Sequence, residues 1–119
     1  MPNPELKNFE DILRKLLTKV TTANKAIGHE VVTFNSGNIF KLTVPDQARY
    51  ALCVLEEVGA TGSSKLIRYY LDGSNPTTSD GIVRGDMDAF DIAGYSNIKD
   101  FKAIKISGGN HILTVQYFS

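Results

Sequence analysis

Two imidazoles, one thiol, a short run of aspartates and five tyrosines are the side chains of this sequence with the most obvious chemistry. His29 and His111 each stand beside a turn, with no Cys, Asp or His two or four positions on to complete a metal-binding pair. Solvated histidines at strand ends account for both. Cys53 is alone inside "RYALCVLEEV", so no internal disulfide can form, and the expected role is that of a small buried hydrophobe. Nucleophilic catalysis needs a serine or cysteine beside a base that an acid orients; no elbow or motif of that kind occurs, which argues against an enzyme. Nothing in the sequence implies a cofactor.

The run "GDMDAFD" brings Asp86, Asp88 and Asp91 within six residues, and alternate carboxylates suit a hard cation such as calcium. It lacks the central glycine and terminal glutamate of an EF-hand loop, so the reading adopted is a turn followed by the solvent face of a short strand. "RGD" at 84–86 is a tripeptide that chance supplies often. Tyr50, Tyr69, Tyr70, Tyr95 and Tyr117 offer material for a sugar-stacking platform, although tryptophan is absent. Alternation along a strand sends Tyr69 and Tyr70 to opposite faces, so at least one of them belongs to the core.

The elements that must position these residues divide into a leading helix and a β-region. Asn3 can cap a helix, Pro4 suits its first position, Glu5 lies in the first turn and Gly28 can close the end. Leu6, Phe9, Leu13, Leu16, Val20, Ala23 and Ile27 are spaced alternately by three and four, an a/d seam widened by Ile12 and Leu17. Thr21, Thr22 and Asn24 weaken the last turns, so an end near residue 22 also fits. The apolar stripe needs a cover, either the sheet of its own chain or copies of itself.

From residue 29 the period is two. "HEVVTF" and "IFKLTV" read as a hairpin across Asn35–Asn38, and "RYALCVLEEV" with "SKLIRYYL" as a second across Gly59–Ser63. Short strands follow at "GIVRG" and "AFDIA", and longer ones at "FKAIKIS" and "HILTVQYFS". About eight short strands punctuated by Gly, Asn and Ser predict a mainly β fold, an antiparallel sandwich or barrel, with 1–28 as helix and 29–119 as the β-domain.

A chain of 119 residues accommodates one ordinary domain, and 42% hydrophobic with 22% charged residues is the composition of a folded protein. Thirteen basic and thirteen acidic residues cancel, which disfavours nucleic acid or an anionic membrane as the main partner. The N-terminal "MPNPELKNFEDILRKLL" lacks an apolar h-region and no apolar run reaches membrane-spanning length, so synthesis and first folding are expected in a cytoplasm.

The run from Thr43 to Phe90, with "FKAIKISGGNHILTVQYFS", resembles a small β-domain of tailed-bacteriophage structural proteins, including head decoration and fibre-associated components. The matching features begin with a Pro-x-x-Ala-x-Tyr-Ala entry at Pro45, Ala48, Tyr50 and Ala51. "RYYLDGSNPTTSDG" then matches an Arg-Tyr-x-x-Asp-Gly-x-x-Pro-Thr pattern, followed by Gly85 and Asp86 before a short strand, and by Phe101, Ala103 and Ile104. The resemblance covers roughly residues 40 to 119 and leaves the leading helix outside.

It implies a jelly-roll-like β-sandwich in the virion, without catalysis or cofactor, that acts through interfaces with capsid or fibre proteins and as a homo-oligomer, a trimer being expected. Leu6, Phe9, Leu13, Leu16, Val20 and Ile27 would then form the oligomer or partner interface. Arg68, Asp72, Gly73, Pro76 and Thr77 would build an architectural corner where the chain crosses between sheets, with Arg68 pairing to Asp72. Two rivals remain on the residues alone. One is a carbohydrate- or receptor-binding module; the other is an accessory or toxin-neutralising protein whose helix fills a partner's groove.

Overall fold

Alternation of buried and exposed side chains defines the strands, and their pairing assembles two layers. The computed structural model describes residues 11, 25–59 and 62–119. Eight strands occur there: β1 (Ala26–Phe34), β2 (Phe40–Lys41), β3 (Tyr50–Glu57), β4 (Ile67–Tyr70), β5 (Ile82–Arg84), β6 (Ala89–Ala93), β7 (Lys102–Lys105) and β8 (His111–Phe118). One short helix, α1 (Tyr95–Lys99), links β6 to β7.

Two antiparallel sheets of four strands result, in the orders β1-β8-β3-β6 and β2-β7-β4-β5. The pairings are nested: β1 with β8, β2 with β7, β3 with β6 and β4 with β5, completed by β3 with β8 and β4 with β7. The chain therefore runs out through β1–β4 and returns alongside itself through β5–β8.

The core lies between the layers because each sheet turns one parity of its strands inward. In β8 the buried set is His111, Leu113, Val115 and Tyr117, and in β3 it is Ala51, Cys53 and Leu55. Tyr69 of β4 stacks on Phe90 of β6 at 5.2 Å between centroids and tilts against Phe101 at 5.4 Å, tying the two sheets face to face. Full burial of such a side chain contributes roughly 1.5–3 kcal/mol. Tyr69 is buried and Tyr70 half-buried, as the opposed faces require.

Several local expectations are corrected by this topology. "HEVVTF" and "IFKLTV" are not a hairpin, since β1 and β2 lie in different sheets, and the same holds for β3 with β4. A short loop joins each pair in sequence, but the ladder partner of each strand comes from the returning half of the chain. Among the described strands, only β4 and β5 pair as sequence neighbours. The segment from Leu71 to Gly81 is thus a hairpin loop within one sheet, not a crossing between sheets.

The helix end expected at Gly28 is also displaced. Ala26 to Gly28 belong to β1 and reach β8 through an irregular register, Ile27 packs on the domain's own core, and Ser119 N–H donates to the Lys25 carbonyl at 2.8 Å. Ladder bonds plus apolar burial prevail there over helix propensity. Ile27 is therefore not part of an external seam. Leu6, Phe9, Leu13, Leu16 and Val20 lie outside the described residues.

Candidate functional site

The aspartate run is absorbed by the backbone. Asp86 accepts from Glu57 N–H at 2.9 Å through Oδ1 and from Gly62 N–H at 3.2 Å through Oδ2, while its own N–H donates to the Ser63 carbonyl at 2.7 Å. Asp88 accepts from Gly85 N–H at 2.6 Å. The β5–β6 turn is thereby sewn onto the β3–β4 loop, with Met87 N–H and Leu55 N–H exchanging bonds with the Leu55 and Asp88 carbonyls. Asp91 stands apart on the outward face of β6 and is exposed. Among the described residues no three His, Cys, Asp or Glu side chains converge as a metal site.

A bracket of this kind has a measurable weight. Asp86→Ala leaves two backbone donors without their acceptor, and the expected loss is about 2 kcal/mol of unfolding free energy in urea titration. Asp91→Ala, which removes no backbone partner, is the control and should shift the midpoint little.

The loop after β4 is built in the same manner. Asp72 Oδ1 accepts from Ser74 N–H at 3.0 Å, an Asx turn that holds its carboxyl below the usual range, and Gly73 adopts a φ of 83°. Pro76 is buried. Thr77 and Asp80 exchange backbone bonds, and Thr77 Oγ1 accepts from Ser79 N–H at 3.3 Å. Arg68 does not pair with Asp72; its guanidinium donates to the carbonyls of Thr78 at 3.3 Å and Gly81 at 2.9 Å. The guanidinium fork fits two carbonyls that the turn turns toward β4, whereas Asp72 is committed to its own loop.

Among the described residues, Tyr117, Cys53 and His111 carry polar groups inside, as does Tyr69, whose hydroxyl accepts from Arg84. Tyr117 is buried and its hydroxyl donates to Glu30 Oε1, which also accepts from Thr43 N–H at 2.7 Å; burial, then the Glu30 carboxylate, push the phenol upward. Cys53 is buried and its thiol is raised from 9.0 to about 12, by burial first and then by the Asp91 and Glu30 carboxylates. His111, expected at a solvated strand end, is fully buried instead: Nε2 lies 2.8 Å from Ser107 Oγ and Nδ1 has no partner. It occupies the inward parity of β8, which its position beside a turn did not reveal.

The two outer faces differ in character. On β2-β7-β4-β5 the outward positions include Lys41, Lys102, Arg68 and Tyr70, and Lys102 Nζ donates to Asn75 at 3.2 Å. On β1-β8-β3-β6 they include Val31, Leu52, Val54 and Ile112, with Val31 58% and Leu52 41% exposed. The Tyr50 and Phe118 rings meet edge to face on that side at 5.8 Å. Burial and Asp91 push the Tyr50 phenol upward.

No family model, curated protein or solved structure matches the chain. The site is accordingly read from its own geometry. Many of its polar residues bond to turns, and its most distinctive exposed surface is the partly apolar outer face of β1-β8-β3-β6, where Val31, Leu52, Val54 and Ile112 stand among His29, Gln116, Asp91 and Glu56. A depression lined by Gln47, Ala48, Arg49, Tyr95 and Ser119 is open to solvent. Sequence reasoning missed the apolar face, though "ALCV" carries a signal for it: apolar residues of both parities in one strand mean that both faces are apolar.

Proposed function

We propose that the chain is a non-enzymatic structural component of a bacteriophage virion, a jelly-roll module that decorates a capsid or associates with a fibre. The observation that carries this reading is the nested pairing of β1 with β8, β2 with β7, β3 with β6 and β4 with β5. A long hairpin rolled into two four-stranded sheets produces that order, and eight-stranded jelly rolls recur in viral capsid and lectin domains.

The chemistry of the polar residues supports the same reading. Asp86, Asp88, Asp72 and Arg68 each bond to backbone groups of turns, which is how an inert scaffold employs charge. Function then resides in buried interface area, at roughly 25 cal/mol per Å² of apolar surface. The a/d positions Leu6, Phe9, Leu13, Leu16 and Val20 supply the oligomerising or anchoring stripe.

Mass spectrometry of purified particles carrying the gene should find the chain at stoichiometric abundance; its absence from particles sinks the reading. Leu13→Asp with Leu16→Asp should dissociate the oligomer in sedimentation and leave the β circular-dichroism signal unchanged. A wild-type monomer, or a variant that sediments as wild type, removes the seam from the proposal.

A further inference from the structure

We infer that the outer face of β1-β8-β3-β6 is a self-complementary docking surface for the same face of a second copy, related by a two-fold axis parallel to the strands. The inference rests on the reading of the chain as a self-associating part, and it replaces the three-fold order by pairs.

The rows of that face carry the argument. Cross-strand register aligns His29, Gln116, Leu52 and Asp91 in one row. The next row is Val31, Thr114, Val54 and Ala89, and on the other side lie Phe118, Tyr50 and Ala93. A two-fold axis running between β8 and β3 sets β1 of one copy over β6 of the other at equal height. His29 then meets Asp91, a donor opposite a carboxylate, while Gln116 lies over Leu52. Thr114 meets Val54, Val31 meets Ala89, and Phe118 meets Tyr50. No outward position in these rows holds a lysine or arginine, so like charges of that sign do not oppose. Glu56 falls in the last row, where solvent reaches the rim.

The other face lacks this property. Its rows, Lys41–Lys102–Tyr70 and Ile104–Arg68–Val83, carry three cations and no carboxylate, so two copies set face to face there would bring six uncompensated positive charges together.

Area decides how the contact is used. Four strands about 4.8 Å apart and roughly eight residues long, at about 3.4 Å each, give a face of roughly 500 Å². A stable interface takes about 800 Å² from each partner, so the face alone makes a weak pair. The N-terminal segment enters β1 through Lys25, and an axis parallel to the strands keeps both segments at the same end of the pair. Any association through the chain that precedes Lys25 would therefore hold the two faces near each other at an effective concentration of about a millimolar, enough to close a weak contact.

The experiment is cross-linking of the full-length chain carrying Leu52→Cys, close to the proposed axis, by a bis-maleimide whose arm spans about 10 Å, the spacing of facing sheets, with Ile82→Cys as control. Both parent residues are exposed, at 41% and 46%, and native Cys53 is buried. The expected result is a covalent dimer from Leu52→Cys, in at least tenfold greater yield than from Ile82→Cys, in a protein that sediments as an even-numbered oligomer. Equal yields at the two positions overturn the pairing while leaving self-association intact, and so does a wild-type trimer. A wild-type monomer removes the pairing together with the reading on which it rests.

Discussion

Gly85→Ala is expected to destabilise the fold by about 3 kcal/mol, the upper part of the range for overpacking a close-packed site. A Cβ at Gly85 would lie 2.6 Å from Ser64 Cα and 2.7 Å from the Ser64 carbonyl carbon and oxygen, well inside van der Waals contact with backbone atoms. Relief by movement is blocked, because the bonds that flank the contact fix both chains. Leu66 N–H donates to the Arg84 carbonyl at 2.9 Å, Asp86 N–H to the Ser63 carbonyl at 2.7 Å, and Gly85 N–H to Asp88 at 2.6 Å. The substitution must therefore either break the seam between the β3–β4 loop and the β5–β6 turn or strain it. Gly108→Ala is the matched control: nothing lies within 4 Å of its Cβ position. Urea titration of the two variants checks the contrast, and equal midpoints would show that the two loops are not locked together.

The same seam explains which parts of the structure could be read from the residues. Strand existence was legible because alternation is a local property, and β3, β6 and β8 fall where "RYALCVLEEV", "AFDIA" and "HILTVQYFS" place them. Pairing was not legible. Gly and Asn between two apolar runs signal a turn, but a turn does not state whether the next strand returns in the same sheet or crosses to the other. β1 and β2 cross; β4 and β5 return.

The site followed the same division. The Asx turn at Asp72 needs only neighbours in sequence, whereas the bond from Gly62 N–H to Asp86 spans two loops that only the folded chain brings together. Helix α1 escaped notice because its sequence, "YSNIK", has one buried residue, Ile98, and no periodic stripe to announce it. His111 shows the converse error: a polar type beside a turn suggests solvent, but parity with Leu113 and Val115 puts it inside.

Parity also governs the expected response to alkali. Cys53 faces inward from β3, between Phe90 and Val115 on the neighbouring strands, so its thiolate would have to form in apolar surroundings near the Asp91 and Glu30 carboxylates. An acid whose folded pKa lies above its unfolded value holds its proton more tightly when folded. Its contribution to stability is therefore complete below the unfolded pKa of 9.0 and is lost as pH rises toward the folded value of about 12. By pH 11 the loss from this one group should be about 3 kcal/mol, approaching about 4 kcal/mol at higher pH. Tyr117, raised in the same direction by burial and Glu30, adds to the loss above its ordinary value of 10.0.

Urea titrations of wild type and Cys53→Ala at pH 7.5, 9 and 11 separate the thiol from the remaining titrating groups. The absolute stability of Cys53→Ala is lowered at every pH by the small cavity, so the quantity to compare is the slope. Wild type should fall about 3 kcal/mol further than Cys53→Ala between pH 7.5 and pH 11. Tyr117→Phe should flatten the remaining slope of the variant. Parallel profiles for wild type and Cys53→Ala, or native-state alkylation of Cys53 at pH 8 as fast as in urea, would mean that the thiol is wet and that the inward parity of β3 is wrong.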